Sequence, residues 1–159
     1  MPKLAKNSPS VLILLGSKSD LPLIEGALPL TKRLGIQATT IVASAHRSPE
    51  KVAELAKNAE KKYGVIIAGA GMAAHLAGVV AAHTTLPVIG LPIDGSSLKG
   101  LDSLYSTVMM PPGIPVATVA INGAKNALIL AAQILATAHP PIRSHLKQLK
   151  KEMATTGSL

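Results

Sequence analysis

Between Val65 and Ile93 the chain carries no Asp, Glu, Lys or Arg. An uncharged stretch of this length belongs either in a bilayer or in the interior of a folded protein. Four glycines, Pro87 and two histidines interrupt it, and its pieces follow different periods. A membrane helix needs one unbroken apolar span, whereas a buried strand, loop, helix and second strand need such breaks. The segment reads as the centre of a soluble protein. Only Tyr63 and Tyr105 are aromatic, with no Phe or Trp, so Ala, Val, Ile and Leu must build the core. At 159 residues, 48% hydrophobic and 15% charged, the chain fits one domain of ordinary size, 1–159, and disorder is excluded.

The rest of the chain alternates in the same way. Val11–Leu15 is a five-residue apolar run ending at Gly16, the pattern of a strand buried on both faces. Asp20 and Pro22 give a cap and an early-helix residue, and Leu23, Ile24, Ala27, Leu28, Thr31 and Leu34 recur at helical spacing until Gly35. Pro29 should kink or split that helix. Thr39–Val42 reads as a strand, and Ser48 caps a helix with Pro49 at its first position and Val52, Leu55, Ala56, Ala59 and Tyr63 on one face. Val65–Ala68 is a strand, Gly69–Met72 a loop and Ala73–Ala82 a helix. Pro87–Leu91 and Val116–Ile121 read as strands with a short helix near Leu101–Val108 between them. Helices over Asn126–Thr137 and Ile142–Met153 complete the chain.

Five strands alternating with helices imply an α/β three-layer sandwich around a parallel sheet, flavodoxin-like, because parallel strands need crossover connections. The C-terminal helix extends it over 140–159, and 1–9 is expected to be a loose N-terminus. A sheet of this kind takes its ligand at the carboxyl ends of the strands.

Charge and cysteine content narrow the function. Sixteen basic against eight acidic side chains give +8, but no aromatic platform accompanies them, so nucleic acid is not the expected partner. The basic residues are scattered, apart from Arg143, Lys147, Lys150 and Lys151. Without cysteine there is no disulfide framework, cysteine nucleophile or thiolate metal site. Residues 1–10 hold no apolar signal core, and a cytoplasmic address is expected.

Three loops leave the first three strands. Gly16-Ser17-Lys18-Ser19-Asp20 runs into a helix N-terminus whose free N–H groups suit an anion, or it is a plain glycine turn with a cap. Asp20 either caps the helix or also accepts hydrogen bonds from ligand hydroxyls. Ser44-Ala45-His46-Arg47-Ser48-Pro49 puts an imidazole suited to proton transfer beside a guanidinium suited to phosphate, against the alternative of a packed histidine. Gly69-Ala70-Gly71-Met72-Ala73-Ala74-His75 matches the dinucleotide fingerprint G-x-G-x-x-A, with Asp94 about 20 residues on. It lies on the third strand with too little chain after it for a full dinucleotide domain. Glycines admitting backbone to a smaller ligand explain it better. Two S-x-x-K matches, at Ser48–Lys51 and Ser96–Lys99, are chance hits, and His75 and His83 lack a carboxylate partner, so no metal is expected.

Taken in order, Gly16–Asp20, Ser44–Pro49, Ala68–Leu76, Leu101-Asp102-Ser103-Leu104 and Gly113-Ile114-Pro115-Val116-Ala117-Thr118 closely resemble the 5-(carboxyamino)imidazole ribonucleotide mutase family, the PurE type of de novo purine synthesis. The likeness runs from about Val11 to Leu135. It implies a shift of carboxylate from the exocyclic nitrogen to the ring carbon of an aminoimidazole ribonucleotide, with no metal, ATP or organic cofactor. It also implies a homo-octamer. Residue by residue, Ser17, Asp20 and Arg47 match ribose-phosphate contacts, and His46 matches the general acid/base. Ser44, Ala70 and Gly71 match the wall around the base and carboxylate, and His75 matches a helper. Met72 stands where the family usually has glycine, and Ala77 where it usually has proline.

The residues also bear on the assembly and on rival functions. The helix beginning near Met72 is apolar or small on every side, so it should be covered all round by other subunits. Two other readings stay open. One is the animal-type carboxylase that uses free carbon dioxide, which carries a lysine after the histidine and Arg-Ser-Asn in the third loop. The other is a non-catalytic nucleotide-binding module.

Overall fold

The computed structural model describes residues 9–159, so the loose end expected over 1–9 lies, except for Pro9, outside the described residues. Five strands form one parallel sheet: β1 (Ser10–Leu15), β2 (Gln37–Val42), β3 (Val65–Gly71), β4 (Val88–Ile93) and β5 (Ala117–Thr118), in the order β2-β1-β3-β4-β5. Seven helices connect and flank them: α1 (Leu21–Glu25), α2 (Pro29–Leu34), α3 (Pro49–Ala59), α4 (Leu76–Ala81), α5 (Leu101–Val108), α6 (Ala124–Leu135) and α7 (Pro140–Thr156). This is the three-layer, flavodoxin-like α/β architecture expected from the alternation.

The two-residue period of a strand divides the core. Val11, Ile13, Leu15, Val65, Ile67, Ile89 and Leu91 point to one face and pack with α2, α6 and α7. Leu12, Leu14, Ile66, Ala68 and Val88 point to the other and pack with α3 and α4. With no Phe or Trp to fill gaps, the small residues Ala127, Ala131 and Ala132 let α6 sit close to the sheet. Ile142, Leu146 and Leu149 of α7 join the first core. The uncharged Val65–Ile93 stretch is β3, α4 and β4, and among the described residues no helix is long and apolar enough to cross a membrane.

Several boundaries differ from expectation for physical reasons. Pro29 splits the first helix, and Gly35 ends its second half at φ 68°, a left-handed turn. Asp20 does not cap α1 through its side chain. Ser17 instead caps a short 3-10 turn, Lys18–Asp20, in which Asp20 is the third residue of a capping box. Ser48 stands at the N-cap of α3 without a capping bond there, because its Oγ donates to the carbonyl of Ser44 at 3.1 Å. β3 runs on through the expected loop: Gly69, Ala70 and Gly71 pair with Leu91, Pro92 and Ile93. α4 shrinks to Leu76–Ala81, and β5 to two residues, because only Ala117 and Thr118 find ladder partners on β4.

Candidate functional site

Leu15 of β1 stands in register with Val42 of β2 and with Gly69 of β3. The loops after β1 and β2 therefore leave the sheet at one level, one strand spacing apart, while β3 runs two residues further to Gly71 beside them. In a sheet ordered 2-1-3-4-5 the chain winds outward in opposite directions from β1 and β3, which leaves a crevice at their carboxyl ends. A cleft of about 360 Å³ opens there. All eight residues singled out in the sequence line it: Ser17 and Asp20 from the first loop, Ser44, His46 and Arg47 from the second, Ala70 and Gly71 from the end of β3 and His75 from the loop after it.

Side chains and backbone tie these loops together in pairs. Gly16 N–H donates to the carbonyl of Gly69 at 2.9 Å, joining the first and third. Arg47 Nη2 donates to the carbonyl of Gly16 at 3.0 Å, joining the second to the first. That leaves the rest of the guanidinium fork, exposed beside the start of α3, for an anion. His46 Nε2 and His75 Nδ1 lie 2.8 Å apart, joining the second to the third, with the rings edge to face at 76°. One ring must donate and the other accept, so the pair shares a proton between two titratable groups.

The first loop is a cradle of hydroxyls over one buried carboxylate. Asp20 is 8% exposed and its Oδ2 accepts the N–H of Ser17 at 3.0 Å. Ser19 Oγ bonds Ser17 Oγ at 2.8 Å. Burial pushes the Asp20 carboxyl above its ordinary value, more than the bonds from the Ser17 N–H and the Ser19 hydroxyl hold it down. Around Gly71 the space is tight: a Cβ there would stand 3.1 Å from the carbonyl oxygen of Ile93 and press on it, and glycine keeps this wall flat.

Met72 follows at φ 55°, in the left-handed region, and is 59% exposed at the mouth of the cleft. A side chain in that conformation costs about 1–2 kcal/mol, which glycine would avoid. Ala77 is the second residue of α4, where the chain tolerates proline or alanine alike.

Sequence reasoning did not reach Ser19, Gly95 and Leu76, which also line the cleft, nor the Gly16 carbonyl that anchors Arg47. Ser19 sat inside a quoted motif, but Gly95 follows β4 and nothing local marks it. Among the described residues no three His, Cys, Asp or Glu side chains form a metal-binding group.

Comparison with known proteins bears on this cleft. The family model described as AIRC, AIR carboxylase, matches residues 10–156. The N5-carboxyaminoimidazole ribonucleotide mutase of Thermotoga maritima is 54% identical over 146 residues, 91% of this chain and 85% of that protein. The protein of the same name from Escherichia coli is 48% identical over 151 residues, covering 92% and 89%. The crystal structure of Treponema denticola PurE superimposes with a TM-score of 0.84 at 32% identity, over 92% of each chain.

The buried carboxylate makes a testable statement. Because the folded state raises the Asp20 pKa, the ionised form opposes folding. That penalty is absent well below the ordinary value of 3.8 and grows as pH rises through the folded value. Asp20→Asn, whose amide oxygen still accepts the Ser17 N–H, should therefore melt at or above the wild-type temperature at pH 7. Thermal melts across pH should show the gap closing in acid. A variant less stable at pH 7 by a pH-independent margin would contradict this.

Proposed function

The chain belongs to the AIR carboxylase family, and from that premise we propose that it acts as an N5-carboxyaminoimidazole ribonucleotide mutase, moving a carboxylate from the exocyclic nitrogen to the ring carbon in purine (IMP) biosynthesis. The observation that carries the reading is the cleft itself, where a phosphate-ready arginine and a paired imidazole stand beside a flat glycine wall. The family description names a carboxylase, whereas the Thermotoga and Escherichia relatives, matched over most of their length, are named mutases. The second loop here carries His46-Arg47 and the third Gly71-Met72-Ala73, which also favours the mutase over the animal-type carboxylase.

The chemistry follows from the side chains. Ser17, Asp20 and Arg47 hold the ribose phosphate, with Asp20 accepting from ribose hydroxyls. The imidazole lies against Ser44, Ala70 and Gly71. The nitrogen–carbon bond of the carbamate breaks, carbon dioxide is released into the cleft, and protonated His46 gives its proton to the exocyclic nitrogen. The ring carbon, now enamine-like, attacks the carbon dioxide. His46 then removes the proton that this carbon still bears, which restores the aromatic ring and the starting imidazolium. His75, on the other side of the shared hydrogen bond, orients His46 and takes part in holding its proton. One histidine serves both transfers, and no ATP, metal or organic cofactor is required. Keeping carbon dioxide near the ring is the principal task.

We further propose that the chain is a single α/β domain with α7 as its extension, works in the cytoplasm and assembles as a homo-octamer. One side of α4, with Leu76, Ala77 and Val80, is already buried within the chain, and the more exposed apolar surface that supports assembly lies elsewhere. It is α5, where Leu101, Tyr105 and Val108 stand exposed in helical register, with Leu98 and Met109 beside them. A small-molecule ribonucleotide is the only other partner proposed, with no role for nucleic acid or membrane.

Two experiments test the function. Substrate labelled with carbon-13 in its carboxylate, in buffer with unlabelled bicarbonate and no ATP, should yield product that retains the label. Diluted label would favour the carboxylase, and absence of turnover the binding module. Kinetics of His46→Asn and Arg47→Ala should separate two roles: the first lowers kcat by about 10²–10⁴ with a normal melt, the second raises KM, losing about 1.5–3 kcal/mol of binding. Near-normal kcat in folded His46→Asn, or unchanged KM in Arg47→Ala, would remove that residue from its role.

A further inference from the structure

Among the described residues three that are not glycine hold left-handed φ angles: Met72, Lys99 and Asn122. Asn122, at φ 58°, lies between β5 and α6, outside the cleft. Three of its four polar groups are engaged. Its Oδ1 accepts the N–H of Asp94 at 2.9 Å. Its own N–H donates to the carbonyl of Pro92 at 2.9 Å, and its carbonyl accepts the N–H of Ala124 at 2.9 Å.

The two bonds to Pro92 and Asp94 grip the end of β4 where the sheet has ceased to hold it. β5 pairs with β4 only at Ile89 and Gly90, so the last residues of β4 lack ladder partners on that side. Asn122 supplies them. The residue after Asp94 is Gly95, which lines the cleft. Gly95 backs directly onto Gly71, since a Cβ on Gly71 would stand 3.8 Å from Gly95 N and Cα. We infer that Asn122 is a positioning residue for the reaction: its side-chain bond to Asp94 fixes Gly95 against Gly71, and so fixes the wall that confines the migrating carboxylate. This rests on the mutase reading of the cleft.

The identity of the residue fits two demands at once. A left-handed backbone favours Gly, Asn or Asp, and the Asp94 N–H needs a short side-chain acceptor. Glycine meets the first demand alone, while Asn and Asp meet both. The contacts expected for the ribose phosphate lie on the far side, on the loops after β1 and β2, so a displaced wall should affect the chemical step and not phosphate binding.

Steady-state kinetics and thermal melts of Asn122→Gly and Asn122→Asp, beside the wild type, test the inference. Glycine adopts the backbone freely, so Asn122→Gly should melt near the wild-type temperature. Its kcat should fall about 10–100-fold from misplacement of the wall, with KM changed less than about threefold. Asn122→Asp, which keeps the acceptor, should recover most of kcat. The inference is overturned if folded Asn122→Gly keeps wild-type kcat, if KM rises while kcat holds, if Asn122→Gly fails to fold, or if Asn122→Asp is as slow as Asn122→Gly. A wild-type chain that does not interconvert the two carboxylated ribonucleotides would overturn the mutase reading and this inference together. Normal wild-type turnover with unaltered Asn122→Gly overturns this inference alone.

Discussion

Parallel pairing in strict register, Leu15 against Val42 on one side and Gly69 on the other, is the constraint on which the candidate site depends. A slip of one residue in any of these strands would turn its buried side chains to the opposite face. The register is held by β1 and β3, which are almost wholly apolar and buried by helices on both faces, with the half-buried edge strand β2 laid against β1. Because β1 and β2 end level and β3 runs only two residues past them, segments that are distant in the chain meet in one small volume. The cleft is thus a consequence of core packing.

Register alone brings the loops near one another, and polar contacts then lock them pairwise. The Gly16–Gly69 backbone bond, the Arg47–Gly16 bond and the His46–His75 pair form a closed triangle of links. Two of the three use side chains that also carry the proposed chemistry. Orientation of the reactive groups and integrity of the loop cluster are therefore coupled. The buried Asp20 is the counterweight: it organises the hydroxyls of the first loop while its own ionisation opposes folding. A fold that retains such a group gives up stability at a functional site.

How much of this was legible in the sequence follows from how local each determinant is. Apolar runs and helical spacing revealed β1 and α5 almost to the residue, because burial on both faces and a 3.6-residue period leave direct marks. Gly69 to Gly71 looked like a loop, since glycine is rare in strands, yet β4 pairs with it, and a side chain at Gly71 would press on the Ile93 carbonyl. β5 looked six residues long from its apolar pattern, but the ladder that defines a strand depends on a partner that ends early. Asp20 was read as a cap, but Ser17 takes that role and Asp20 answers it from the third position, because two good capping residues three apart satisfy each other. Asp20, His46, Arg47 and the glycines after β3's apolar run were marked by residue type at strand ends, whereas Ser17, Ser44, Ala70 and His75 were reached through the family resemblance of their loops. Gly95 and Asn122 were not, because their relation to the cleft exists only once β4 lies beside β3 and β5 beside β4.

The central claim is that these three loops hold one aminoimidazole ribonucleotide with its phosphate toward Arg47 and its ring between His46 and Gly71. A crystal structure of the chain soaked with the carbon-carboxylated ribonucleotide tests it most directly. The account predicts phosphate oxygens within hydrogen-bond distance of the Ser17 loop and the Arg47 guanidinium, and a His46 ring nitrogen within about 3.2 Å of the exocyclic amine or ring carbon. A nucleotide bound in the opposite orientation, or bound outside the β1–β3 crevice, would contradict it.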